Sequence, residues 1–235
     1  MLATTALHSE WTDGRGDAMA WRARTVIGLL GAAGVAAWAR AWRPRHLTWG
    51  ATPDEVARAL PGDDLVRSPT FNATRAISVG AAPERIWPWL VQVGVRRAGW
   101  YSYDLLDNLG HPSARQIRPE WQALEPGDTL PMSPGGKHGI NVYSMDYPRS
   151  MVWGTPGDTT WVWQLDPQPD GTTRLLTRIR SRIRWSPASI AFSALLEVAD
   201  FWMIRKMLAG LRERAEQSGT SPGGEAGRTP ARSAS

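Results

Sequence analysis

From residue 128 onward the sequence falls into short runs of strand character separated by turn signals, and then closes on one long run with helical spacing. The strand runs are residues 128–132, 139–146, 150–154, 159–166 and 173–185. The breaks between them hold Ser133-Pro134-Gly135-Gly136, Tyr147-Pro148-Arg149 and the segment from Pro167 to Gly171. Short strands at this spacing, punctuated by Gly and Pro, form an antiparallel meander. Residues 71–79 add an earlier strand with β-branched, partly alternating character. The closing run, residues 187–216, places Leu195, Val198, Trp202, Met203 and Leu208 in an apolar helical stripe. A sheet with one apolar face must cover it, and a single amphipathic helix across a curved sheet does so while leaving a hollow between them. The expected class is α+β: a curved antiparallel sheet wrapped around a long C-terminal α-helix.

Two short helices follow the first strand. Pro83 opens PERIWPWLVQV, with Ile86, Leu90 and Val93 at helical spacing, and Pro88 is expected to kink or break it because it lacks an N–H and crowds the carbonyl four residues back. A second piece spans about Tyr103 to Leu109, where Leu105, Leu106 and Leu109 share a face and Gly110 stops it. Upstream, residues 44–70 read as a connector. Thr52-Pro53-Asp54-Glu55 has the form of a capping box with Pro at the first helical position, and the short helix should run to about Ala59 before Leu60-Pro61-Gly62-Asp63 ends it.

The N-terminus has a different character. Residues 1–20 carry no hydrophobic period and read as a disordered leader, as do the Gly, Ser, Pro and Ala of residues 217–235. Between Thr25 and Ala39 the chain has no charge, with Arg22 and Arg24 before it, Arg40, Arg43 and Arg45 after it, and Trp21, Trp38 and Trp42 at its ends. The run is shorter than the ~20 residues that cross a bilayer comfortably, although snorkelling arginines and interfacial indoles extend its reach. Three readings compete: a single-pass anchor over residues 21–43, the apolar core of a signal peptide, and an amphipathic or buried helix. Arginines on both flanks leave the side of the membrane open.

Composition excludes some chemistry. There is no cysteine, so disulfides, thiolate nucleophiles and cysteine metal sites are absent. The net charge of +5 rests on arginine, since Lys137 and Lys206 are the only lysines; an anionic membrane surface accounts for it as well as nucleic acid does. Fourteen Trp against three Phe and four Tyr is an unusual balance. Each buried indole wants a partner for its N–H, so these rings belong in a cavity, a groove or a membrane interface.

The element order, together with APERIWPWLVQVG (82–94), GWYSYDLLDNL (99–109), TTWVWQL (159–165), TRLLTRIRSRIRW (173–185) and DFWMIRKMLAGLRERAE (200–216), resembles the SRPBCC (START-like, helix-grip) superfamily. RPRHLTWGATPDEVARALPGDDLV (43–66) is similar to a segment preceding the domain in a bacterial subgroup with an N-terminal membrane segment. The resemblance covers residues 43–216 and implies a helix-grip domain at about 71–216. It says much about fold and little about activity, because the superfamily uses one cavity for many ligands and several reactions.

Trp100, Tyr101, Tyr103, Asp104 and Asp107 cluster in the second helical piece, where phenols and carboxylates either hold a polar ligand head, act as acid and base, or cap the helix and bond the neighbouring loop. Alternation on residues 159–166 turns Trp161, Trp163 and Leu165 to one face, to line a site or to fill it. On residues 173–185, Leu175, Thr177, Ile179, Ser181, Ile183 and Trp185 face inward. Arg174, Arg178, Arg180, Arg182 and Arg184 should then face solvent, as a hydrated surface or a strip for anionic headgroups, since burying so many guanidinium groups without partners is prohibitive. Trp153 and Trp202 complete the candidate ligand-binding set. His46, His111 and His138 lack ligand spacing, and no GxSxG, Walker or GxGxxG element is present, so no cofactor and no metal is expected; His138 is a lone candidate base.

The expected function is membrane-tethered binding of a hydrophobic or aromatic small molecule or lipid between sheet and helix, with no nucleic acid partner. A cyclase, aromatase or dehydratase using the same cavity, and a non-catalytic interaction module at the membrane, are the alternatives.

Overall fold

The computed structural model describes residues 14–133, 138–182 and 187–218, with side chains described from residue 21 onward except at 187–196. Two compact units divide between His46 and Leu47.

In the first unit, α1 (Gly14–Ala37) passes through a π-helical turn at Trp38–Trp42 into α2 (Arg43–Leu47). The stretch Trp21–Leu47 is 27 residues long with a mean hydropathy of 1.3, long and apolar enough to cross a membrane; a signal sequence meets the same criterion. Ile27, Leu30 and Val35 are all exposed. The helix extends beyond the uncharged run at both ends and begins inside the leader expected to be irregular, because Ala, Met, Trp and Arg propagate a helix cheaply once it is nucleated. Residues 1–13 and 219–235, which hold most of the expected leader and tail, lie outside the described residues.

In the second unit, the capping box closes α3 (Pro53–Ala57): Glu55 N donates to Thr52 Oγ1 at 3.2 Å and Thr52 N to Glu55 Oε2 at 2.8 Å. Then follow β1 (Phe71–Val79), α4 (Pro83–Val91), α5 (Asp104–Asp107), β2 (Thr129–Pro131), β3 (Gly139–Asp146), β4 (Ser150–Thr155), β5 (Thr159–Pro167), β6 (Thr173–Ser181) and α6 (Pro187–Gln217). The six strands form one antiparallel sheet in the order β1-β6-β5-β4-β3-β2, so the first strand returns to lie beside the last. Boundaries further along the chain also differ from expectation. α4 runs unbroken through Pro88, since the carbonyl that Pro88 orphans belongs to the exposed Glu84. α5 is shorter than residues 103–109. β6 stops at Ser181, and residues 183–186 lie outside the described residues.

On the concave face, Trp153, Trp161, Trp163, Leu165 and Leu175 join Ile204, Met207, Leu208 and Leu211 of α6 in a single apolar cluster. This is the helix-grip arrangement. α6 comes so close to the loop before α5 that a Cβ at Gly210 would run into the Tyr101 carbonyl.

The convex face overturns an expectation. Arg174, Arg178 and Arg180 do not form a solvated or headgroup-binding strip, because the connector lies over them and supplies partners; Arg182 is exposed, and Arg184 lies outside the described residues. Arg178, with 2% of its side chain exposed, spends all five guanidinium hydrogens. Nε donates to Thr74 Oγ1 at 2.8 Å, Nη1 to Asp63 Oδ2 at 2.5 Å and Arg58 O at 2.9 Å, and Nη2 to Glu55 O and Val56 O, both at 2.9 Å. Three of those acceptors are carbonyls at the end of α3, so the guanidinium serves as that helix's C-terminal cap, which is why α3 stops before the expected Ala59. Arg174 forms a two-pronged bond with Glu55 at 2.8 Å on each oxygen, and Arg180 donates to Val66 O at 3.0 Å. Burial alone would raise the Glu55 carboxyl; the Arg174 and Thr52 bonds and the nearby Arg charges outweigh it and hold it below its usual range. Leu60 packs with Val152 and Val162 beneath this polar layer, and the Trp49 carbonyl accepts from Ala76 N at 3.1 Å on the outer edge of β1.

Removing one partner of a buried ion pair strands the other charge. Arg178→Ala is therefore expected to destabilise the domain by about 3 kcal/mol in urea unfolding, whereas Arg182→Ala, at an exposed position, should be within the error of the measurement.

Candidate functional site

A cavity of about 440 Å³ lies between α5, β5 and α6, lined among others by Trp100, Ser102, Asp107, Trp161, Met203 and Met207. Its walls are set by a cluster of indoles. Trp100 stacks on Trp161 at 5.8 Å between ring centroids and 10° between planes, and Trp153 and Trp163 meet Trp161 at 5.2 and 5.3 Å. Trp161 is fixed from behind by its own N–H, which donates to Thr177 Oγ1 at 2.7 Å. Trp100 is aimed by the backbone: Gly99 has φ 76°, and a Cβ there would strike the Ser113 hydroxyl.

Of the residues singled out in the sequence, Trp100 and Trp161 line the cavity. Trp153 and Trp163 are fully buried behind them and do not. Thr177 is committed to the Trp161 indole. Ser181 Oγ pairs with Thr159 Oγ1 at 2.8 Å, and Ile179 lies half-buried across from Trp161. Trp202 is 45% exposed, beside Phe201 and under the Arg205 guanidinium.

The expected phenol and carboxylate cluster comes apart. Tyr101 points into the core at φ 57°, where its hydroxyl donates to Trp89 O at 3.0 Å and accepts from Gln92 Nε2 at 3.0 Å, while Arg214 sits 4.5 Å from its ring centre. Burial pushes this phenol well above its usual range, against the Gln92 bond and the Arg214 and Arg97 charges. A left-handed tyrosine is strained by about 1 kcal/mol, and these contacts hold it. Tyr103 is exposed, and Asp104 Oδ1 accepts from Ser113 N at 3.1 Å and Ser113 Oγ at 2.5 Å, a structural bond within the loop. His138 is exposed. None of these four lines the cavity.

Asp107, from the same cluster, does line it. Both of its carboxylate oxygens are sealed from water and neither meets a donor in hydrogen-bonding geometry. Burial raises its carboxyl above the usual range, opposed by Ser102 and the local backbone and reinforced by the Asp104 charge. Ser102 Oγ donates to Met203 O at 3.0 Å, and Asp200, also on the lining, bonds the buried Arg75 at 2.7 Å. The α6 contribution was not singled out in the sequence, apart from Met203 as part of an apolar stripe; its signal is the four-residue spacing of Ala199, Met203 and Met207, one turn apart on one face. Among the described residues no group of three His, Cys, Asp or Glu is placed to hold a metal ion.

A raised carboxyl costs stability wherever it must ionise. The folded state holds the Asp107 proton above the ~3.9 of an unfolded Asp, so its contribution is most favourable below that value and is lost as pH rises through the raised one. Asp107→Asn should melt above the parent at neutral pH, with the gap narrowing as pH falls towards the ordinary carboxylate range. A gap independent of pH would show that folding does not shift this carboxyl, and a variant that melts below the parent as pH rises would show the carboxylate to be paired.

No protein-family model matches the chain, and no curated protein does. Similar solved structures include a protein of Corynebacterium glutamicum described as Polyketide_cyc-like, at 14% identity and TM-score 0.41, covering 63% of this chain and 93% of that one. A conserved protein of unknown function from Enterococcus faecalis matches at 13% identity and TM-score 0.39, over 64% and 74% of the two chains. A Nitrosomonas europaea protein matches at 17% identity and TM-score 0.40, over 63% and 95%. The fold assignment stands on the strand order and on the helix held in the sheet.

Proposed function

We propose that the domain encloses an apolar or aromatic small molecule or lipid between its sheet and α6, and that the N-terminal helix tethers it to a membrane. The observation that carries this reading is the cavity of about 440 Å³ walled by stacked indoles and methionines. The recess is apolar and open at its mouth, and its volume falls within the range of small-molecule sites. The binding energy is apolar burial, on the order of 25 cal/mol per Å². Flat indole faces favour a ring or a chain over a polar guest, and the flexible methionines adapt to its outline.

The enzymatic alternative needs proton-handling groups that converge on the cavity. Of the titratable residues nominated for that role, Asp107 alone lines it, and its oxygens are sealed. A binder is the better account of this lining.

Two measurements test the proposal. N-phenyl-1-naphthylamine, a neutral apolar fluorophore, should bind saturably and quench the emission of Trp100 and Trp161. Ala199→Trp, which places an indole at an exposed position on the lip, should weaken that binding at least tenfold, and equal binding by parent and variant would end the reading. For the tether, the full chain should stay with membranes through carbonate extraction, while a version starting at Leu47 should be released.

A further inference from the structure

The helix at the cavity mouth is turned the wrong way for water. α5 carries two acids and two leucines, and its acids face in: Asp104 is bound to Ser113, and both oxygens of Asp107 are buried. Its leucines face out, with Leu105 79% and Leu106 72% exposed. Leu109 just beyond is 58% exposed and Met132 47%, and Leu106, Leu109 and Met132 all belong to the cavity lining. Lone exposed apolar residues are ordinary, but here they adjoin along one turn and ring an apolar opening, while the acids that would make the turn comfortable in water are withdrawn from it.

We propose that this mouth, residues 103–109 together with Met132, is a bilayer-docking surface that inserts into the interfacial layer of a lipid membrane and opens the cavity towards the lipid phase. This rests on the cavity being a ligand site. Three observations choose a membrane over a protein partner. The exposed side chains are mostly aliphatic, whereas protein interfaces draw their anchors from Trp, Tyr and Arg and under-use Leu. On α6, flanking the lining Met203, the exposed residues are Trp202 and Lys206, an indole with a cation, which suits the headgroup layer of an anionic bilayer. The same chain also carries a helix of 27 residues long and apolar enough to cross that bilayer. Leucines that meet acyl chains recover in the membrane the burial they forgo in water, and an apolar guest then passes from bilayer to cavity without crossing water.

The absence of cysteine makes the test clean. Full-length Leu105→Cys, carrying a nitrobenzoxadiazole label, is reconstituted into vesicles of equal parts phosphatidylcholine and phosphatidylglycerol, with and without spin-labelled lipid. Tyr147→Cys, at a residue 64% exposed outside the mouth, is the control. The label introduced by Leu105→Cys should be quenched at least twofold by spin-labelled lipid and the control label much less. Equal quenching at both positions, or none at either, overturns the proposal, because the anchor alone would then account for the contact. A blue shift introduced by Leu105→Cys that grows with protein density and ignores the spin label also overturns it, in favour of a contact between copies. N-phenyl-1-naphthylamine binding, measured on the same samples in detergent, separates the two claims: binding without quenching defeats the docking surface alone, and quenching without binding defeats the cavity reading alone.

Discussion

A hollow survives inside a protein only where its walls resist collapse, and here the resistance comes from tryptophan. Trp161 is held at both ends, its N–H on Thr177 and its ring sandwiched against Trp100, with Trp153 and Trp163 filling the depth behind it. Indoles have few rotamers and large rigid faces, so a cluster of them cannot creep into the space between sheet and helix as leucines would. Everything else in the site is arranged around that wall. α6 lies across it, the loop carrying Trp100 is bent by a left-handed Gly99 to reach it, and α5 is left standing at the rim.

The opposite face of the same sheet is governed by a different kind of contact. Arg178 is buried at an energetic cost that its partners must offset, and they do so by coming from a segment more than a hundred residues earlier in the chain. One guanidinium therefore ends α3, holds Asp63 and fixes the connector in register with β1 and β6. The domain is thus a three-layer object of helix, sheet and connector, and the outer layer is held by these hydrogen bonds together with the packing of Leu60 and Leu65 on Val152 and Val162.

What the sequence revealed followed from local periodicity. Strand alternation placed Trp161 and Trp163 on the concave face, and turn residues located the strands, because both signals are encoded within a few neighbours. The arginine face was misread for the converse reason. Alternation told which way Arg178 points, but three of its five acceptors are carbonyls at the end of α3, and a backbone oxygen leaves no trace in composition. In the sequence Tyr101 stands between a chemical and a structural role, because its partners Gln92, Trp89 and Arg214 are distant in sequence from the acids beside it. Of that group only Asp107 reaches the cavity, and nothing in the stretch DLLD distinguishes it from Asp104.

The sheet's two margins bear on how this domain behaves among its own copies. Its outer strands, β1 and β2, are where a second chain would have to pair in order to extend the sheet. β2 is three residues long and ends on Pro131, which has no amide hydrogen to offer. On β1 the connector occupies an outward position, with the Trp49 carbonyl taking the Ala76 amide and Gly50 pressed against the Ala76 carbonyl. The segment that covers the arginines thus also serves as a bumper along the flank of the sheet. Copies of the domain that meet at these margins find a proline-ended strand of three residues on one side and an amide already taken at Ala76 on the other, so neither margin is a clean template for joining strands into aggregates.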